Sequence, residues 1–163
     1  MKIRIYPDRI LRQPAGRASE GEAERLAPKL IAAMISYSGI GIAAPQVGLG
    51  IQLAVVSETA DENLKKPLVL INPRITEASG TQVMEEGCLS IKGVTARVRR
   101  NETVTVETGP DSSRQVIEAG GLLAVVIQHE VDHLNGVLFP DRLGLSGKCW
   151  SLYKARIKKK SGR

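Results

Sequence analysis

The chain has 163 residues, 42% of them hydrophobic and 25% charged, a balance that suits one soluble globular domain with a single sizeable core. No apolar run approaches the roughly 20 residues that cross a bilayer. Residues 1–7 lack a signal-peptide hydrophobic region, and two cysteines are too few for a disulfide framework, so a reducing cytoplasmic setting is expected. The formal charge of +6 is concentrated: residues 148–163 hold seven basic groups and no acid, leaving the body close to neutral.

In chain order, residues 2–6 alternate and predict a short edge strand ahead of Pro7. Ala23, Leu26, Ala27, Leu30, Ile31, Met34 and Ile35 recur at helical spacing, with Ser19 and Glu22 placed for a capping box. Pro28 conflicts with a straight helix there and is expected in its first turn or at a kink. Residues 39–48 (Gly-Ile-Gly-Ile-Ala-Ala-Pro-Gln-Val-Gly) form a small-residue stretch that another segment can approach closely, and its spacing fits no nucleotide-binding loop.

Residues 51–56 and 67–72 read as strands separated by a polar loop at 57–66. Residues 75–84 read as another strand with Gly80 as a turn or bulge, and 94–107 as a long strand interrupted at Arg99-Arg100-Asn101. After a turn at Gly109-Pro110-Asp111, residues 115–118 return as a short strand. Leu122, Val125, Val126, His129 and His133 then follow one face of a helix that enters at Gly120-Gly121 and stops at Asn135-Gly136. Trp150, Tyr153 and Ile157 give the basic terminus one apolar helical edge. The expected fold is a single α+β domain over residues 1–163. Antiparallel or mixed sheets pack around a central metal-binding helix, and a C-terminal helix follows.

The chemistry-bearing segment is Gln128-His129-Glu130-Val131-Asp132-His133-Leu134, which contains both histidines of the chain. Histidines four apart stand one turn above each other, can grip one metal ion together, and leave Glu130 within reach of a water there. A core helix with two ordinary hydrogen-bonded histidines is the bland alternative. A third protein ligand is needed. Asp141 lies eight residues past His133 near a proline, whereas Cys88, in Glu85-Glu86-Gly87-Cys88-Leu89-Ser90, is the better candidate, although a free cysteine is often only a small buried hydrophobe. Gln46 supplies a neutral amide able to donate to a developing oxyanion.

Taken together, residues 39–46, 86–90 and 128–134 resemble the three signatures of the peptide deformylase family (Gly-x-Gly-x-Ala-Ala-x-Gln, Glu-Gly-Cys-Leu-Ser and Gln-His-Glu-x-Asp-His-Leu), in that order and with similar spacing. The resemblance covers nearly the whole chain. It implies that Cys88, His129 and His133 ligate the metal, that Glu130 is the acid/base residue, and that Gln46 and the backbone N–H of Leu89 bind the oxyanion. It also implies a methionine pocket formed by Ile40, Gly41, Glu86, Leu122, Val125, Val126 and His129, whose aliphatic walls suit an unbranched thioether.

The implied activity is metal-dependent removal of the formyl group from the N-terminal formylmethionine of nascent polypeptides, with release of formate. The implied cofactor is one divalent metal, Fe2+ first, with Zn2+, Ni2+ or Co2+ as substitutes. A thiolate ligand beside iron also implies sensitivity to oxygen and peroxide. The expected partners are the formylmethionyl nascent peptide and, through the basic tail, the ribosome. A cytoplasmic monomer without membrane contact is expected.

Three positions depart from the usual pattern of the family. Lys92-Gly93 stands where a proline is common, and Ser38 and Thr95 occupy positions where an acid and a matching arginine are frequent. Losing both charged partners together avoids an unpaired charge. Asp132 is expected to brace the helix through a basic neighbour such as Arg100. A small zinc peptidase using the same helix and a basic RNA-binding module are the competing readings.

Overall fold

The computed structural model of the chain describes residues 1–146; the expected terminal helix at 148–163 lies outside them. Helix α1 (Glu20–Ser36) starts where the local signals place it. Ser19 Oγ accepts from the Glu22 N–H at 3.4 Å, and the Glu22 carboxylate accepts from the Ser19 N–H at 2.9 Å. Pro28 is not in the first turn; it lies inside the helix, which runs past it from Glu20 to Ser36. Both Pro28 and Glu24, whose carbonyl the ring deprives of a partner, are exposed, so water can serve that carbonyl.

Strands β1 (Gly41–Ala43), β2 (Leu53–Val56) and β3 (Leu68–Ile71) form one antiparallel sheet in that order. All four residues of β2 are buried, because the sheet is covered on both faces. Leu53 and Val55 join α1 residues Leu26, Leu30 and Met34 in one core cluster, while Ala54 and Val56 face the other way. That second face meets helix α2 (Gly121–Leu134), through Leu123, Ala124, Val126 and Ile127.

A second antiparallel sheet, β4 (Arg74–Ser79), β7 (Thr103–Thr108) and β8 (Gln115–Gly120), closes the same core with Val104, Val106 and Ala119. Between them in the chain, β5 (Gln82–Cys88) and β6 (Ile91–Arg100) form a separate two-stranded hairpin. The stretch at 75–84 is therefore not one strand. The chain turns at Gly80 and passes from one sheet to another. Asn101 marks the corresponding break between β6 and β7.

The expected edge strand at 2–6 does not form. Those residues run as an extended segment whose N–H groups are spent elsewhere: Arg4 donates to the Gln46 carbonyl at 2.7 Å, and Tyr6 to the Ser90 carbonyl at 2.9 Å. The segment thus ties two site-bearing loops together. All pairings between named strands are antiparallel, and the one parallel contact among the described residues is an isolated bridge between Gly16 and Ile51. Among the described residues, no helix is long and apolar enough to cross a membrane.

Candidate metal centre

Three elements converge on one point. Helix α2 presents His129, Glu130 and His133, strand β5 ends at Cys88, and a 3₁₀ turn after β1 (Ala44–Val47) carries Gln46. One ligand atom from each of Cys88, His129 and His133 lies within 4.8 Å of the others, and Cys88 Sγ is 3.2 Å from His133 Nε2. A thiol and two imidazoles at that separation match the donor set of a borderline-soft divalent metal. The residues therefore fit the ion that the sequence implies. Asp141, the weaker candidate for third ligand, is engaged elsewhere: it pairs with Arg12 and accepts from the Leu138 N–H at 2.9 Å.

Gln46 is almost fully buried and its amide is oriented from both ends. Its Oε1 accepts from the Ala43 N–H at 2.8 Å, which turns Nε2 toward Ser90 Oγ at 3.3 Å and Cys88 Sγ at 3.5 Å. Ser90 as a holder of this amide is an addition to the expected set, and its adjacency to Cys88-Leu89 is the signal that points to it. Leu89 lines the same cleft.

A chain of charges braces the helix from behind. His129 Nδ1 lies 2.8 Å from Glu86 Oε2, so its other ring nitrogen is the one available to a metal. Arg100, 5% exposed, grips Glu86 with two bonds, from Nε to Oε1 at 2.8 Å and from Nη2 to Oε2 at 3.0 Å. Its Nη1 donates to Asp132 Oδ2 at 2.5 Å, and Arg142 pairs with the same carboxylate. The Arg100–Asp132 pairing is as expected. Glu86 has the second task of orienting His129, and Arg142 joins the network without any signal in the local sequence.

The electrostatics follow from this arrangement. Burial alone would raise the Glu86 carboxyl, but hydrogen bonds to His129 and Arg100 outweigh it and bring it down to about 2. Glu130 has no such compensation, and burial pushes it up to about 7. Burial disfavours charge on His129, yet bonds to Cys88 and Glu86 win and raise it well above the usual imidazole range. His133 is driven well below that range by burial and then by the His129 charge. Among the described residues, only Glu130 Oε2 and His133 Nδ1 are buried side-chain N or O atoms without a hydrogen-bond partner.

A cleft of about 420 Å³ opens onto this point. Ile40, Gly41, Glu86, Leu122, Val125, Val126 and His129, the residues expected to form a pocket, all line it, as do Gln46, Cys88 and Glu130. Met84, Glu85 and Ser38 line it too; the first two directly precede the Glu-Gly-Cys segment on β5, and that adjacency is the available signal. Gly41 is there for space: a Cβ on it would lie 2.5 Å from Glu130 Oε1 and 2.7 Å from Val126 Cγ1. Thr95 pairs with Gly87, and beyond it β6 bulges at residues 92–94, since Cys88 pairs directly with Ile91.

Comparison with known proteins points the same way. The family model for polypeptide deformylase matches residues 1–148. The chain is 42% identical over 146 residues to the peptide deformylase of Thermodesulfovibrio yellowstonii, covering 88% of each chain. It is 47% identical over 147 residues to that of Thermosynechococcus vestitus, covering 88% of this chain and 78% of the relative. Among solved structures it is similar to peptide deformylase 1B of Arabidopsis thaliana in complex with an inhibitor, at a TM-score of 0.87 and 34% identity, covering 100% of this chain and 95% of that one.

Proposed function

This chain belongs to the polypeptide deformylase family, and from that premise we propose how its own residues divide the work. The reaction is metal-dependent hydrolysis of the formyl amide on the N-terminal formylmethionine of nascent polypeptides, releasing formate. Cys88, His129 and His133 would hold one divalent metal, proposed to be Fe2+, with Zn2+, Ni2+ or Co2+ able to take the same donors. When bound, such an ion supplies a Lewis acid that eases water ionisation and polarises the formyl oxygen.

The remaining steps belong to the protein. Glu130 accepts the attacking water's proton and returns it to the departing amine from its buried place beside the three ligands. Gln46 Nε2 and the Leu89 N–H donate to the developing oxyanion, each worth about 3 kcal/mol in comparable sites. The aliphatic wall of Ile40, Leu122, Val125 and Val126 takes the methionine side chain and excludes water from the reacting bond. The observation that carries this reading is the convergence of Cys88, His129 and His133 beside Gln46 and Glu130 in one cleft.

Formate release from formyl-Met-Ala-Ser by protein loaded anaerobically with each metal tests it. Turnover should be highest with Fe2+, lower with Zn2+, and absent from a Cys88→Ala protein that also loses its metal. Cleavage of unformylated peptides at internal bonds would instead support a zinc peptidase.

The proposal extends to the whole chain as one catalytic domain over 1–163, acting as a cytoplasmic monomer. The seven basic groups at 148–163 would steer it to ribosomal RNA, close to the emerging substrate. Deleting residues 158–163 should spare activity on short peptides and weaken ribosome binding. Equal ribosome affinity with and without them at low salt would remove the tail from that role.

A further inference from the structure

The two proposed oxyanion donors come from separate parts of the fold. Gln46 sits on the 3₁₀ turn after β1, and Leu89 sits in the turn between β5 and β6. Among the described residues, no strand pairing joins the sheet of β1 to that hairpin. A donor pair works only when both N–H groups meet the same oxygen, and a displacement of about 1 Å can cost about 10²-fold in rate. Something must therefore fix the spacing of the two segments. The bond from Gln46 Nε2 to Ser90 Oγ at 3.3 Å crosses the gap, but it uses the very amide that has to meet the substrate.

Residues 3–6 bridge the same gap through the main chain alone. The Arg4 N–H donates to the Gln46 carbonyl at 2.7 Å, and two residues on, the Tyr6 N–H donates to the Ser90 carbonyl at 2.9 Å, one residue past Leu89. Both acceptors are backbone atoms, so these bonds set where each segment lies and leave the Gln46 amide free to donate. Gln46 and Ser90 are 1% and 0% exposed, so water cannot readily replace either bond. The bridging segment is itself anchored on two different cores. Ile3 is buried with Leu26, Leu30 and Met34 of α1, whereas Tyr6 packs on the cluster of Leu11, Ile91 and Phe139.

We propose that residues 3–6 are a positioning strap that sets the separation of the Gln46 and Leu89 oxyanion donors, with the Arg4 N–H as its main tie to Gln46. The proposal rests on the deformylase reading, which makes those two groups the donors. The strap acts on kcat through Gln46, because the donors matter most once charge develops on the oxygen, and it leaves the metal ligands and the methionine pocket in place.

The test is a double-mutant cycle on kcat and KM for formyl-Met-Ala-Ser, with metal content and thermal unfolding measured on the same preparations. Arg4→Pro removes the N–H from a segment that is already extended, and Arg4→Ala keeps it. Arg4→Pro should lower kcat about tenfold with KM and metal content near native values, while Arg4→Ala loses at most about twofold. In a Gln46→Ala background, itself down about 10²- to 10³-fold, the proline should cost less than about twofold more, since the donor it positions is gone. Equal losses in both backgrounds would show a general disturbance of the fold and overturn the proposal, as would an unchanged kcat in folded Arg4→Pro. Ile3→Ala slackens the same strap while keeping every N–H, so it carries the same comparison, with a smaller loss, if the proline variant does not fold; the same two outcomes overturn the proposal there. Full turnover by Gln46→Ala would remove the donor, and the strap with it. A native protein that releases no formate would instead overturn the deformylase reading.

Discussion

The two long helices solve the same packing problem in opposite ways. Every buried residue of α1 is apolar (Ala23, Leu26, Ala27, Leu30, Ala33 and Met34), and its polar groups face water. Helix α2 buries Gln128, Glu130, Asp132 and His133 among its aliphatic residues. Burying such groups is costly unless each finds a partner. Gln128 does, exchanging hydrogen bonds with the Asn101 N–H at 3.0 Å and carbonyl at 2.9 Å, and Asp132 does through Arg100 and Arg142. The buried atoms left over, Glu130 Oε2 and His133 Nδ1, belong to residues of the proposed reacting centre. On that proposal, unmatched polarity in α2 marks chemistry and matched polarity marks its support.

The largest expected effect separates those two kinds of polar residue. Glu130→Gln should lower turnover by about 10²- to 10⁴-fold, because an amide cannot accept the water's proton. Metal content and the unfolding midpoint should stay near native values, since Oε2 has no hydrogen bond to lose. Formate release, metal analysis and thermal unfolding on one preparation would check all three. A large loss of stability would move Glu130 into the supporting set.

Arg100→Met probes the supporting set itself. It removes both arginine bonds from Glu86, leaving it His129 alone, and one of the two arginines from Asp132; the two side chains are 5% and 8% exposed, and breaking such a buried pair typically costs about 3–5 kcal/mol. Urea unfolding should register that loss. Because Glu86 also orients His129, the variant should release its metal faster to a chelator than native protein does. A cost under about 1 kcal/mol would show that the ion network is dispensable.

Gly41→Ala should have a smaller effect on stability, about 1–3 kcal/mol from overpacking against Val126. Its new methyl also displaces the Glu130 carboxylate, so kcat should fall while KM for formyl-Met peptides changes less. An unaltered kcat would mean that Glu130 can retreat without consequence.

Gly41 also illustrates what the sequence carries and what it withholds. Its motif places the glycine in the proposed substrate pocket, yet nothing local marks β1 around it as a strand. Gly41-Ile42-Ala43 has little β-propensity of its own, and it becomes a strand by pairing with Val56, Val55 and Ala54 of β2, a contact between separate segments. Residues 2–6 err the other way: their alternation is local, but Gln46 and Ser90 claim their N–H groups. Helix α2 is legible because its face repeats without interruption from Leu122 to His133. Arg100 sits on the inward side of β6 with Val98, and a charge at an inward position is the available sign of a buried partner. Its second partner, Glu86, lies on the neighbouring strand opposite Ala96 while Arg100 lies opposite Gln82, so the two share a face and the long guanidinium side chain must reach back along the hairpin to join them.

The smallest expected effect lies at the start of α1, where local sequence is sufficient. The first N–H groups of a helix have no partner within it, and Ser19 with Glu22 answers this in both directions. Ser19→Ala removes the side-chain acceptor for the Glu22 N–H and should cost about 1 kcal/mol. The Glu22 half behaves differently with pH. Bonds from the Ser19 backbone and hydroxyl hold the Glu22 carboxyl below its ordinary range, so its contribution is present above the unfolded carboxyl's pKa and is lost as pH falls through the lower, folded value. Alanine at 19 keeps the backbone N–H and removes the hydroxyl, so the variant should retain part of that acid-sensitive stability. Urea unfolding of both proteins at neutral and acid pH should show a difference at neutral pH that shrinks on acidification, with metal content and turnover unchanged throughout. A change in turnover would couple α1 to the site through β2, whose two faces the helices share, and the contrast between the helices would then be one of degree.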